Sequence, residues 1–177
     1  MSPYLSHISR KFSVDPIYIR STSDPVDVDD LDMRVLAALS TFSDLSHRQL
    51  AAKVRVPLST LELRIKKLRE KGVIVGEIYV VSPAQFERQS YKLLIYTKGI
   101  DPAMSKKMDA FCSQHPNIVY LFECFGVWGF EIGVKVPAQE DASVVMQEVY
   151  QAFGSSVTNI KLLTTFRYPK VRWLPEV

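Results

Sequence analysis

The densest chemistry in this chain lies in residues 47–71. Arg48, Lys53, Arg55, Arg64, Lys66, Lys67, Arg69 and Lys71 supply eight cations against two carboxylates, Glu62 and Glu70. A local surplus of six positive charges suits a polyanion, because lysine and arginine neutralise phosphates and release their counterions. The same pattern also fits an ordinary solvated helix face. Elsewhere the charge nearly cancels: residues 101–177 hold seven basic and eight acidic groups, and the 177-residue chain totals only +3.

Catalytic constellations are weak by comparison. The three histidines, His7, His47 and His115, have no metal-ligand spacing to another His, Cys or acid. Cys112 falls on an apolar helix face and Cys124 in a strand, positions that suit core packing. His115 precedes Pro116 in a helix-to-strand loop and is expected to be a solvent-facing turn residue. No glycine-rich strand-to-helix turn could cradle a phosphate. The reading is therefore of a chain with no catalytic residue, no metal site and no cofactor.

Composition agrees. Apolar residues make up 47% and charged residues 23%, with 7 Gly and 10 Pro. That is globular, and neither collagenous nor disordered. Two cysteines are too few for a disulfide scaffold, so a reducing cytoplasm is expected. No apolar run approaches the roughly 20 residues of a membrane span, and the first residues lack an export signal. A soluble, cytoplasmic protein is expected, with no membrane partner.

The elements that must position the basic cluster are helices. Asp29 and Asp30 can cap a first helix bearing Leu31, Val35, Leu36 and Leu39. Ser46 and Gln49 have the capping-box spacing, opening a helix with Leu50, Ala51 and Val54. Pro57 admits a third helix over 58–71, with Leu61, Ile65 and Leu68 at i, i+4 and i+7 and Gly72 as its left-handed stop. Residues 73–81 are β-rich. Three short helices and a β extension form a winged helix-turn-helix, in which one helix enters the major groove.

After residue 90 the period changes. Strands are expected at 91–97, 118–125, 130–136 and 159–168, and helices from Asp101–Pro102 through Cys112 and over 138–153. The order strand–helix–strand–strand–helix–strand is the split βαβ of ferredoxin-like domains. Residues 126–129, Gly-Val-Trp-Gly, suit a hairpin turn. Strands apolar on both faces predict that one face covers its own helices and the other meets a second sheet, giving self-association. The fold class is thus α+β: an arm or linker over 1–28, a winged helix-turn-helix over 29–76, a connecting strand and linker over 77–89, and a ferredoxin-like body over 90–177. Within the arm, Phe12, Val14, Ile17 and Ile19 could pack as a strand.

Residues 31–36 (Leu-Asp-Met-Arg-Val-Leu), Leu50-Ala51, and 59–74 (Ser-Thr-Leu-Glu-Leu-Arg-Ile-Lys-Lys-Leu-Arg-Glu-Lys-Gly-Val-Ile) resemble the head of Lrp/AsnC-type transcription regulators. Gly76 and Ser82-Pro83 continue the likeness, which covers about residues 29–174. The resemblance implies double-stranded DNA as partner, a homodimer or larger oligomer, and a body of the RAM type that commonly senses an amino acid or other small effector. It implies phosphate contacts from His47, Arg48, Arg64, Lys66 and Lys67 and base-edge contacts from Leu58, Ser59 and Glu62. Arg64 could instead pair with an acid such as Asp32 to hold the head together. It also marks Gly126, Trp128 and Gly129 as an effector or interface site.

The chain departs from the family at Asp44, Pro57, Glu62, Leu63 and Gly129. The last of these stands where relatives commonly carry an aspartate. Glu62 repels phosphate but can accept from cytosine N4, and Leu63 can touch a thymine methyl or pack on a partner. Alternatives stay open: an assembly or sensing module of this fold that does not bind DNA, or the second half of a longer tandem regulator. Siroheme decarboxylases resemble the same two-part fold, but their His-Asn-Tyr…Arg signature is replaced here by residues 120–124, Tyr-Leu-Phe-Glu-Cys.

Overall fold

The computed structural model describes residues 25–78 and 83–165. These divide into two compact units, a helical head (25–78) and an α/β body (83–165). The residues of the expected arm before 25, residues 79–82 of the connecting strand, and 166–177 lie outside the described residues.

The head's helices are α1 (Asp30–Thr41), α2 (His47–Val54) and α3 (Leu58–Glu70). Local chemistry sets each start. The Asp29 carboxylate accepts from the Asp32 N–H at 2.8 Å, and Asp32 accepts in return from the Asp29 N–H. At α2 the Ser46 N–H donates to Gln49 Oε1 at 2.9 Å and the Gln49 N–H donates to Ser46 Oγ, completing a capping box. Helix α3 starts after Pro57 with no side-chain cap. It stops at Gly72, whose φ of +70° is a conformation that suits glycine, and the Val73 N–H returns to the Leu68 carbonyl at 2.9 Å.

The stripes meet in one small core of Val35, Ala38, Leu50, Ala51, Val54, Leu61, Ile65 and Leu68. Full burial of each leucine or valine is worth about 1.5–3 kcal/mol. Helix α2 ends at Arg55, itself left-handed at φ 59°, so a three-residue turn sets α3 across α2. Residues 73–78, read as β-rich, form no strand; a strand needs a ladder partner, and among the described residues of the head the neighbours are helices.

In the body, β1 (Gln89–Thr97), α4 (Pro102–Gln114), β2 (Ile118–Glu123), β3 (Phe130–Val136), α5 (Gln139–Phe153) and β4 (Val157–Thr165) follow a short 3-10 turn at Pro83–Phe86. The sheet order is β2-β3-β1-β4 and every pair is antiparallel. This is the split βαβ topology, with β3 inserted between β1 and β2. Alternation does the sorting. Leu93 stands opposite Ile132 and Leu162, and Ile95 opposite Phe130 and Ile160, all facing the helices. From the helix side come Met108, Cys112, Val145, Val149 and Phe153. Burial pushes the Cys112 thiol up to about 12, as expected for a core residue.

The other sheet face is covered by neither of the body's two helices. On it Tyr120 lies over Gly133 and stacks on Phe122 at 4.7 Å, while Glu131 accepts from the Tyr120 hydroxyl and from Lys92 Nζ, each at 2.9 Å. Phe122 and Leu163 are exposed there. His115 corrects the sequence expectation. Its side chain is 13% exposed, its Nε2 lies 2.8 Å from Glu148 Oε2, and its Nδ1 accepts from the Asn117 N–H. The end of α4 turns the ring back against Phe111 rather than out to water. Among the described residues, no helix is long and apolar enough to cross a membrane.

Candidate nucleic-acid interface

Because Leu61, Ile65 and Leu68 are buried, the opposite side of α3 is fixed as the outer one. Ser59, Leu63, Lys66 and Glu70 form its crest, with Glu62 and Lys67 on its flanks; all six are exposed. Leu58, the first residue of the helix, is 37% exposed. His47 and Arg48 open α2 and are also exposed. The two helices approach where His47 Nδ1 lies 3.9 Å from Glu62 Oε1. His47, Arg48, Leu58, Ser59, Glu62, Lys66 and Lys67 are thus all solvent-accessible, with Glu62 and Lys67 on opposite flanks of α3.

Arg64 is different. It donates to Asp29 and, at 3.1 Å, to Asp32, whose residue is only 6% exposed. The Asp32 N–H, and after it Arg64, hold the Asp29 carboxyl below its usual range; in return Asp29 first and Asp32 second raise the Arg64 guanidinium. Arg64 thus makes the pairing with Asp32 that the sequence allowed, through Nη1, with its side chain 30% exposed. It ties α3 to the start of α1.

Several other cations of the surplus also have partners inside the head. Lys53 sits 4.1 Å over the Phe42 ring, Arg69 pairs with Glu77 at 2.7 Å, and Lys71 donates to the Asp27 carbonyl at 2.8 Å. Lys66 has a loose pair with Glu70 at 3.8 Å, in which both side chains are well exposed. Such a pair is weak in water. Arg48 and Lys67 have no ion pair among the described residues. The usable positive charge is thus narrower than the count suggested, and it is concentrated beside the α3 crest. Leu63, outside the expected contact set, stands at the centre of that crest at 52% exposure. Its signal in the sequence was an apolar residue off the Leu61–Ile65–Leu68 seam. Arg34, which donates to the Val54 carbonyl, is a further cation with a structural role that sequence alone did not reveal.

In the body, Gly126, Trp128 and Gly129 share the loop between β2 and β3. The Cys124 N–H donates to the Gly129 carbonyl at 2.8 Å, and the Gly129 N–H to the Ile95 carbonyl at 2.9 Å. A Cβ on Gly129 would stand 2.6 Å from Thr97 Oγ1 and 2.9 Å from Ile100 Cδ1, so a larger residue would require both side chains to shift. Trp128 meets Tyr96 edge-on, and its Nε1 is buried with no partner among the described residues. Phe125 and Val127 project into solvent. The loop offers apolar surface and no charged side chain. Among the described residues no cluster of His, Cys, Asp or Glu could hold a metal ion.

Comparison with known proteins matches this geometry. Residues 28–75 match the family model for winged helix-turn-helix DNA-binding domains. An uncharacterised HTH-type transcriptional regulator of Pyrococcus furiosus is 28% identical over 137 residues, spanning 76% of this chain and 89% of the relative. Among solved structures, an AsnC family transcriptional regulator from Agrobacterium tumefaciens superposes with a TM-score of 0.68 at 21% identity, covering 84% of this chain and 97% of that one. A transcriptional regulator of Neisseria meningitidis in complex with L-Met gives 0.70 at 16% identity, with 84% and 97% covered. Residues 28–75 are thus a winged helix-turn-helix domain, and the chain has the fold of the solved AsnC-type regulators.

Proposed function

We propose that the chain regulates transcription by binding double-stranded DNA as a dimer or larger oligomer. Helix α3 enters the major groove. His47, Arg48, Lys66 and Lys67 contact phosphates, while Leu58, Ser59 and Glu62 lie at base edges. The observation that carries this reading is the exposed α3 crest, which bears Lys66, with Lys67 on its flank and Arg48 exposed at the start of α2. Arg64 acts on this surface only indirectly, by fixing the angle of α3 through Asp29 and Asp32. Phosphate contact dominates affinity and makes it fall steeply with salt, and two heads on one duplex reach major grooves about 34 Å apart.

The open sheet face pairs the copies. Phe122 and Leu163 give it apolar surface, and the Lys92–Glu131–Tyr120 cluster is already internally bonded, so it can be covered at little polar cost. Sensing of a small molecule by the body is supported by the likeness to the L-Met-bound regulator. In this chain the 124–129 loop supplies no carboxylate for an amino acid's ammonium, so an effector bound there would be held by its apolar part. No reaction is assigned to the chain, and a regulator of this kind works in the DNA-containing cytoplasm.

Fluorescence anisotropy of labelled random and selected duplexes, titrated with the full chain at several salt concentrations, tests the reading. Binding at low salt that weakens as salt rises is expected. Absence of binding to every duplex at low salt overturns it in favour of an assembly module.

A further inference from the structure

We propose that α3 reads the pyrimidine edge of its half-site: Glu62 accepts a hydrogen bond from a cytosine N4 amino group, and Leu63 packs against a thymine methyl. This inference rests on the DNA-binding reading above and names the base chemistry that the same surface selects.

The first half of α3, residues 58–63, reads Leu-Ser-Thr-Leu-Glu-Leu. It contains no Arg, Lys, Asn or Gln, the side chains that grip guanine at O6 and N7 or adenine at N6 and N7. What it exposes instead on its outer side is one carboxylate, Glu62, one hydroxyl, Ser59, and one apolar side chain, Leu63. An ionised carboxylate only accepts, and the major groove offers it two exocyclic donors, cytosine N4 and adenine N6. Adenine N6 lies beside the N7 acceptor, which repels a carboxylate. Cytosine N4 lies beside the C5–H. Cytosine is therefore the better match.

Leu63 sits on the crest between Ser59 and Lys66, half-exposed, with the phosphate-competent Lys67 alongside. An isobutyl group gains nothing from phosphate or water, and the thymine methyl is the apolar feature of the groove. His47, from the neighbouring helix, lies 3.9 Å from Glu62, so the carboxylate stands beside the start of α2.

The test starts from duplexes selected out of a random pool by the full chain, followed by competition with base analogues in the same anisotropy assay. Deoxyuridine in place of thymidine removes only the methyl. At one position per half-site it should weaken binding about fourfold, the worth of one buried methyl group. Replacing guanine or adenine by its 7-deaza analogue removes only N7 and should change binding less than twofold. In Leu63→Ala the deoxyuridine effect should vanish. Glu62→Gln should shift preference at one position from cytosine to adenine, the base that glutamine pairs with.

Both side chains are exposed, so these variants retain the fold. Selected sites sensitive to 7-deaza purines but indifferent to deoxyuridine overturn the proposal, as does an unchanged preference in Glu62→Gln. Equal affinity for random and selected duplexes overturns it while leaving the DNA-binding reading standing. Failure to bind any duplex removes both.

Discussion

Gly133→Ala is a one-carbon change whose effect should reverse sign with the residue across the sheet. The added Cβ would lie 2.1 Å from Tyr120 Cε1, where ordinary contact begins at 3.4 Å. The ring must therefore withdraw by roughly an ångström, and overpacking of this kind costs about 1–3 kcal/mol. Withdrawal also strains the 2.9 Å bond from the Tyr120 hydroxyl to Glu131 and the stack on Phe122. A hydrogen bond to a charged group adds about 1.5–3 kcal/mol when fully lost.

Against this, alanine in a strand interior is about 0.5–1 kcal/mol better than glycine. The net expectation is destabilisation by about 2–4 kcal/mol. In a Tyr120→Ala background the obstacle is gone, and Gly133→Ala should stabilise by about 0.5–1 kcal/mol. Urea unfolding of the four chains of this cycle, followed by tryptophan fluorescence, measures the coupling. Residues 29–76 contain no tryptophan, so the signal belongs to the rest of the chain. Runs at several protein concentrations separate folding from self-association. Sedimentation should show weaker association in the single variant, since the displaced ring lies on the open face. A neutral Gly133→Ala, or additive effects in the cycle, would refute the reasoning.

Other consequences are equally direct. Arg64→Ala should lower the stability of the head and reduce affinity for all duplexes alike; weakening confined to one sequence would mean that Arg64 touches a base. Because the folded Asp29 carboxyl titrates below its unfolded value near 3.8, its contribution is present above that pH. It should be lost as pH falls from there through the lower folded value, as head unfolding followed by circular dichroism would record, and this acid loss should be smaller in Asp29→Asn. With a thiol reagent at pH 8 the native chain should modify Cys124 readily and Cys112 only on unfolding, since Cys112 is buried and its thiol is raised to about 12. Two equally fast thiols would contradict the packing of α4.

Much of this architecture is written in short-range sequence. The Ser46–Gln49 box, the Asp101–Pro102 start, the Gly72 stop and the span of β3 depend on residues within a few positions of one another, so spacing alone reveals them. What spacing hides is pairing across the fold. The bond between His115 and Glu148 joins residues on α4's end and α5. Arg69 and Lys71 find their partners in Glu77, after α3, and the Asp27 carbonyl, before α1, which spacing within the helix does not show. The pairing of Arg64 with both Asp29 and Asp32 was legible only once the fold brought the start of α1 beside α3. Gly129 was legible as a departure from its relatives, but only the fold shows that a Cβ there would make the Thr97 and Ile100 side chains shift.

The central claim is that the α3 crest meets DNA phosphate through Lys66 and Lys67. The slope of log affinity against log salt tests it most directly, measured for the native chain and for Lys66→Ala/Lys67→Ala on one duplex. Each lost phosphate contact should reduce the steepness by about 0.9, so the variant should be flatter by about two per head, with weakening shared by all sequences. An unchanged slope, or no binding by the native chain at low salt, would contradict the account.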